Sequence, residues 1–263
     1  MEKIIETDDG VKLNIQIVGE GKPILFIHGW AATSNFWKYQ IDFFSRRYQI
    51  ITYDQRGHGK SDKKESVKYT ISRFVKDLKL VIDELNLKDF IIVGHSMGTL
   101  IATKYISENQ EKVEGVALTG VLLKTYSGIS GAINLFLMKI LSKSRRLAER
   151  IITPRMFGSR ATPELIRFVQ QESAKSPTKL LFRIFGEIRG ESIEEDLPKL
   201  DIPCLVVLGK EDKVISPAQQ LKAIKLLKNP KVVELEKCGH NAMLECPDEF
   251  NKALDSFLHE INF

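Results

Sequence analysis

The sequence predicts an α/β fold in which a mostly parallel sheet carries helices on both faces. Three observations lead there. Short continuous apolar runs such as Ile24-Leu25-Phe26-Ile27 have the pattern of strands buried on both sides. They alternate with stretches of helical period, as at Phe74, Leu78, Val81, Ile82 and Leu85. A chain of 263 residues has room for one such domain with an insertion.

The elements follow in order. Residues 4–7 and 11–18 flank Asp9-Gly10, a hairpin signal between two strands. Val11, Leu13, Ile15 and Ile17 alternate with Lys12, Asn14 and Gln16, which predicts one wet face. The run 24–27 is a buried strand ending in His28-Gly29-Trp30. A helix is expected over 36–46, capped by Ser34 or Asn35. Residues 49–53 form the next strand, followed by the glycine-rich loop Asp54-Gln55-Arg56-Gly57-His58-Gly59-Lys60-Ser61. A helix over 71–85 precedes the strand at 90–93, and another strand occupies 113–118. From 121 to 198 there is no recognisable strand, only helical stretches broken at Pro154, Pro163 and Pro177. The alternation then resumes with a strand at 204–208, a helix at 217–227, a strand at 231–235 and a helix at 247–261. This divides the chain into a core of residues 1–120 and 199–263 and a helical cap, or lid, of residues 121–198.

The chemistry centres on residues 90–101, F-I-I-V-G-H-S-M-G-T-L-I. Gly94-His95-Ser96-Met97-Gly98 fits G-x-S-x-G between a strand and a helix, the setting that gives this motif meaning. Ser96 would project from a sharp turn at a helix N-terminus, with the Met97 amide directed at any oxyanion formed there. Serine needs a base, and the base an orienting group. Of the five histidines, His240 lies between the last strand and the last helix, on a loop at the carboxyl end of the sheet. His28 and His95 precede tight turns and are expected to pack and hydrogen-bond, and His58 is expected to be a turn residue of its glycine-rich loop; His259 lies on the last helix. Asp212 follows the 204–208 strand, with Glu211 as the competing carboxylate. The order Ser96, Asp212, His240 is that of a known hydrolytic arrangement. The Trp30 amide is the expected second oxyanion donor.

These segments together resemble the α/β-hydrolase superfamily, in particular its compact esterase-like members. The resemblance spans the chain: H-G-W at His28, D-Q-R-G-H-G-K-S at Asp54, G-H-S-M-G at Gly94, G-K-E-D-K-V-I-S-P at Gly209 and G-H-N-A-M-L-E-C-P-D-E-F at Gly239. It implies an eight-stranded sheet with the cap inserted after the sixth strand, and a structural role for the Asp54–Ser61 loop, with Asp54 and Arg56 bracing neighbouring turns. Relatives that open epoxides or displace halide carry aspartate where this chain has Ser96, so those chemistries are not expected. The first oxyanion segment lacks an extended H-G-G-G, which argues against bulky alcohol esters.

The implied activity is carboxylic ester hydrolysis through an acyl-enzyme on Ser96, on small or medium acyl esters, including methyl esters of carrier-bound chains. Two alternatives stay open: a carbon–carbon hydrolase or lactonase of ring-cleavage products, and a triad-bearing ligand receptor or stress regulator. Residues 132–141 are apolar nearly all round, so Phe136 and Met138, with Trp30, are candidates for lining the substrate pocket; plain cap core is the other reading. No cofactor or metal is expected.

The net charge of +5 is modest, and no nucleic-acid motif accompanies it. It is unevenly spread: between residues 121 and 186, twelve cationic residues stand against three acidic ones. A basic cap could attract an acidic acyl carrier protein or another anionic acyl carrier. Three cysteines, Cys204, Cys238 and Cys246, are too few for a disulfide framework and point to a reduced compartment. No signal-like N-terminus and no apolar run of membrane-spanning length is present, so a cytoplasmic location is expected.

Overall fold

A computed structural model describes residues 1–125 and 139–263. Eight strands form one sheet: β1 (Glu2–Glu6), β2 (Lys12–Val18), β3 (Pro23–Ile27), β4 (Gln49–Asp54), β5 (Phe90–His95), β6 (Val113–Thr119), β7 (Cys204–Gly209) and β8 (Lys231–Leu235). Their order is β1-β2-β4-β3-β5-β6-β7-β8. β2 is antiparallel to both β1 and β4; the remaining pairs are parallel.

The central strands are continuous apolar runs because both faces are covered. Along β3, Leu25 and Ile27 enter one core with Ile51 and Ile92. Ile24 and Phe26 enter the other, with Ile50, Ile91 and Val93. The first core is closed by α2 (Ile71–Glu84) and α3 (Met97–Glu108), the second by α1 (Lys38–Phe44) and α9 (Pro247–Glu260). α7 (Pro217–Ile224) adds Ala223 to the first core. β8 is an edge strand, and its Val232 and Glu234 stay exposed.

Between β6 and β7 the described chain forms α4 (Arg145–Ile152), α5 (Pro163–Ala174) and α6 (Thr178–Glu187). Two of the three expected proline breaks mark starts of α-helices, and the other follows the end of α4. Pro154 lies in a short 3-10 turn, Pro163 opens α5, and Pro177 is the residue before α6.

Some details differ from the sequence reading. The first helix begins as a 3-10 turn, Ser34–Trp37, capped by the Thr33 side chain rather than by Ser34 or Asn35. Asn14, expected on a wet face, is buried, because the loop after β4 folds over it and Ser61 Oγ accepts its amide at 2.8 Å. A short helix, α8 (Ala242–Glu245), precedes α9. The cysteines are also not all free: Cys238 and Cys246 form a disulfide, and Cys204 is free and buried. The loop and α8 between the pair return the chain on itself, leaving their Cα atoms 6.5 Å apart. Among the described residues, no helix is long and apolar enough to cross a membrane.

Candidate active site

Ser96 sits where β5 turns sharply into α3. Its backbone has φ 52° and ψ −118°, a left-handed conformation that costs a non-glycine residue energy. The turn can be this tight because Gly98 packs against β3. A Cβ on Gly98 would lie 2.4 Å from the Ile27 carbonyl oxygen. The Ser96 amide donates to the Thr119 carbonyl at 3.0 Å, tying the turn to the end of β6. Ser96 itself is half-buried.

The same edge of the sheet carries the other expected residues. Asp212 follows β7 and His240 follows β8; both are buried. His240 Nδ1 donates to Asp212 Oδ2 at 2.9 Å. Asp212 is saturated with donors. Its Oδ1 accepts from the Val214 and Ile215 amides at 2.8 and 2.9 Å, and its Oδ2 also accepts from Gln220 Nε2 at 3.0 Å. That arrangement fixes the carboxylate plane and aims one oxygen at the imidazole. Glu211 points elsewhere, accepting from the amide and hydroxyl of Ser159 at 2.7 and 2.6 Å. Asp212, the carboxylate preferred from the sequence, is the one the loop turns toward His240.

The His240 ring is close to the Ser96 turn. A Cβ on Gly120, one residue past Thr119, would lie 2.9 Å from His240 Cε1. His95, the residue before Ser96, has its ring centroid 4.8 Å from that of His240, and its Nε2 donates to the His240 carbonyl at 3.1 Å. Burial holds the His95 imidazole well below its ordinary pKa, so it stays neutral with the proton on Nε2. The His240 loop is pinned from two sides. Its amide donates to the Met156 carbonyl at 3.0 Å. The buried Glu245 carboxylate accepts from the amides of Gly239, Asn241 and Gly158 at 3.1, 3.2 and 2.7 Å. Burial raises the pKa of Glu245, against the lowering effect of those amides.

The loop after β3 approaches from the other side. A Cβ on Gly29 would stand 2.9 Å from Ser96 Cβ, so Trp30 leaves β3 beside the serine. His28 and His58 hold this loop, the role expected for His28, while the expectation for His58 stopped at a turn residue. His28 Nε2 accepts the Gln55 amide at 3.0 Å, leaving Nδ1–H to donate to the Gly29 carbonyl at 2.7 Å. His58 Nε2 accepts the Ala31 amide at 3.3 Å, and its Nδ1 donates to the Arg56 carbonyl at 3.0 Å. Complete burial lowers the pKa of His28 to about 4 and of His58 to about 3. Asp54 accepts from the Ser34 and Lys60 amides, and Arg56 is buried between Asp77 and Asp9, so this loop braces its neighbours as the resemblance implied.

A mostly apolar cleft opens between Trp30 and the β6–β7 helices. Ile152, Met156, Val169, Leu181 and Phe182 line it, with Arg145 and Glu149 as its charged members. Trp30 packs against Phe182 and Phe185 and donates from Nε1 to the Leu181 carbonyl at 2.6 Å. Phe136 and Met138 lie outside the described residues. Gln220, Met156 and Glu245 were not foreseen as supports of the site. Gln220 is a polar residue on a helix, Met156 acts through its carbonyl, and neither leaves a mark in sequence. Glu245 stands inside the G-H-N-A-M-L-E segment, which was legible only as a motif.

Among the described residues no group of histidine, cysteine, aspartate and glutamate is arranged to hold a metal. The positive surface between β6 and β7 is smaller than its sequence count. Arg145, Arg160, Arg167, Lys175 and Arg183 each pair with a glutamate.

Comparison with known proteins agrees with the geometry. A family model described as the alpha/beta hydrolase fold matches residues 22–146. The chain has the α/β-hydrolase fold. It is 28% identical over 265 residues to a 2-hydroxy-6-oxo-6-(2'-aminophenyl)hexa-2,4-dienoic acid hydrolase of Metapseudomonas resinovorans, covering 95% of this chain and 88% of that one. It is 26% identical over 274 residues to a non-heme chloroperoxidase of Burkholderia pyrrocinia, covering 97% and 98%. An esterase from Exiguobacterium antarcticum superposes with a TM-score of 0.91 at 24% identity, over 98% of this chain and 100% of that one. Relatives at this distance share a scaffold but carry different activities in their names, so the fold alone does not choose among them.

Proposed function

We propose that the protein is a serine-type hydrolase of carboxylic esters, acting through an acyl-enzyme on Ser96. The observation that carries this is the His240–Asp212 hydrogen bond at 2.9 Å, set at the sheet edge where Ser96 is held in its strained turn. In this reading Asp212 holds the proton on His240 Nδ1, leaving Nε2 to take the Ser96 hydroxyl proton as Oγ attacks the ester carbonyl. The amides of Trp30 and Met97 stabilise the oxyanion. His240 returns its proton to the departing alkoxide. Water, activated by the same imidazole, then releases the acid and restores Ser96.

Residues 121–198 act as a cap. Their described helices cover the edge beside Trp30 and leave a mostly apolar pocket suited to a small or medium acyl chain. The test is a panel of p-nitrophenyl esters from acetate to decanoate, with fluorophosphonate labelling located by peptide mapping. Turnover with label on Ser96 supports the reading; label at another residue, or no turnover of any ester, refutes it.

A second reading is favoured by one observation. Arg145 is the pocket's cation, and the Metapseudomonas relative is named for an oxo-acid substrate. A carbon–carbon hydrolase or lactonase acting on a carboxylate-bearing compound would use the same nucleophile. Preference for such a compound over every neutral ester would favour it.

A further inference from the structure

α4 has two different faces. Its inner face, with Arg145, Ala148, Glu149 and Ile152, lines the pocket. Its outer face carries Arg146, Leu147, Arg150 and Ile151, all exposed. Leu147 and Ile151 are one helical turn apart and are 39% and 46% exposed; nearby in sequence, Ile140 is 43% exposed. Together Leu147 and Ile151 form a partly exposed apolar strip along the helix. They are interspersed with exposed cations: Lys139, Lys143, Arg146 and Arg150. No ion pair among the described residues engages any of these four. The one acid between residues 139 and 160, Glu149, is turned inward and pairs with Arg145.

Exposed aliphatics mixed with unpaired cations, with no acid among them, match the boundary between anionic headgroups and acyl chains. An acidic protein would complement the same charges, and capture of such a protein without binding to anionic vesicles would overturn the lipid reading. We propose that the outer face of α4 docks the protein onto an anionic phospholipid surface. The docked helix then holds the pocket on its other face beside the lipid phase. Building on the ester-hydrolase reading, this makes lipophilic esters that partition into membranes the favoured substrates.

The test separates docking from turnover. Purified full-length protein is mixed with vesicles of phosphatidylcholine alone, or with phosphatidylglycerol added, and binding is read by co-sedimentation. Binding to the anionic vesicles only, falling as salt rises, is the expected result. Arg146→Glu with Arg150→Glu should weaken it on the order of tenfold or more. Leu147→Ser with Ile151→Ser should weaken it as well, since burying apolar side chains contributes to interfacial binding. Both double variants should keep wild-type turnover of a short soluble ester, which also shows that they fold. The Ser96→Ala protein should bind vesicles as the wild type does, so failed catalysis and failed docking are told apart. Absence of binding to anionic vesicles overturns the proposal. So does binding that survives Leu147→Ser with Ile151→Ser, which would mean charge adsorption alone. Self-association abolished by those same serine substitutions, without vesicle binding, would assign the face to a second copy of the chain and also overturn it.

Discussion

Replacing Asp212 by asparagine should nearly abolish turnover while leaving the protein folded. Four donors converge on this carboxylate: the Val214 and Ile215 amides on Oδ1, and Gln220 Nε2 and His240 Nδ1 on Oδ2. Asparagine has one acceptor oxygen. The two backbone amides cannot move, so that oxygen stays with them and the new NH₂ faces Gln220 and His240. Gln220 cannot turn its amide to accommodate it, because its Oε1 accepts from the Val121 amide at 3.1 Å and its Nε2 also donates to the Ile215 carbonyl at 2.8 Å. His240 yields instead. It accepts the new donor at Nδ1 and carries its proton on Nε2, where it cannot take the serine proton. The same tautomer reversal in a serine protease costs about 10⁴ in kcat, equivalent to about 5.4 kcal/mol of transition-state stabilisation. The mismatch at Gln220 should cost a further ~1–3 kcal/mol of stability, a melting-point fall of about 2–4 °C per kcal/mol. The assay is kcat on a p-nitrophenyl ester, with the fluorophosphonate labelling rate measured alongside. Glu211→Gln, whose side chain serves Ser159, should keep kcat near the wild-type value. An Asp212→Asn variant within about tenfold of wild type, or a larger loss in Glu211→Gln, would refute the reasoning.

Other outcomes can be checked on the same protein. Ser96→Ala should lower kcat by on the order of 10⁶ while the circular dichroism spectrum is retained, and full activity would remove Ser96 from its role. Glu245→Ala leaves the Gly158, Gly239 and Asn241 amides without their acceptor. It should cost about 3 kcal/mol in urea unfolding and lower kcat, because the His240 loop loses its anchor. Stability should fall on acidification. His28 is neutral when folded, with a pKa lowered from 6.5 to about 4, so its contribution is complete above pH 6.5 and lost as pH falls toward 4. The loss is about 3 kcal/mol for His28; urea midpoints at pH 7, 5.5 and 4 should show it, and a His28→Asn variant should show a shallower slope.

Much of the fold was legible because burial on two faces leaves a strong mark. β3, β5 and β7 had to carry continuous apolar runs, and the helices between them had to repeat at helical spacing to cover them. β8 matched its expected range even as an edge strand, since its neighbours break cleanly into turns. Local signals failed where distant chain intervened. Asn14 alternates like a surface residue and is buried by a loop some forty-seven residues away. Thr33, not Ser34 or Asn35, caps the first helix, and its hydroxyl donates to Glu172 of α5 at 2.5 Å.

The candidate site divides in the same way. The sequence by itself determined the sharp turn at Ser96 on one side, since a Cβ on Gly94 would meet Gly98 and Thr99 within a short stretch of chain, whereas the contact that restricts Gly98 comes from distant β3. It also determined the order in which Ser96, Asp212 and His240 are reached, because each follows a strand. Only the tertiary structure decided that Asp212 rather than Glu211 turns inward, that Gln220 and Glu245 hold the acid and the histidine loop, and that Cys238 pairs with Cys246. Only the structure showed which cations between β6 and β7 are paired and which, among the described residues, make no ion pair on α4. The physical reason is range. Steric and periodic constraints act between near neighbours and are written in order along the chain. Hydrogen bonds and ion pairs between segments depend on side-chain direction, which is fixed only once the sheet has brought distant loops to one edge.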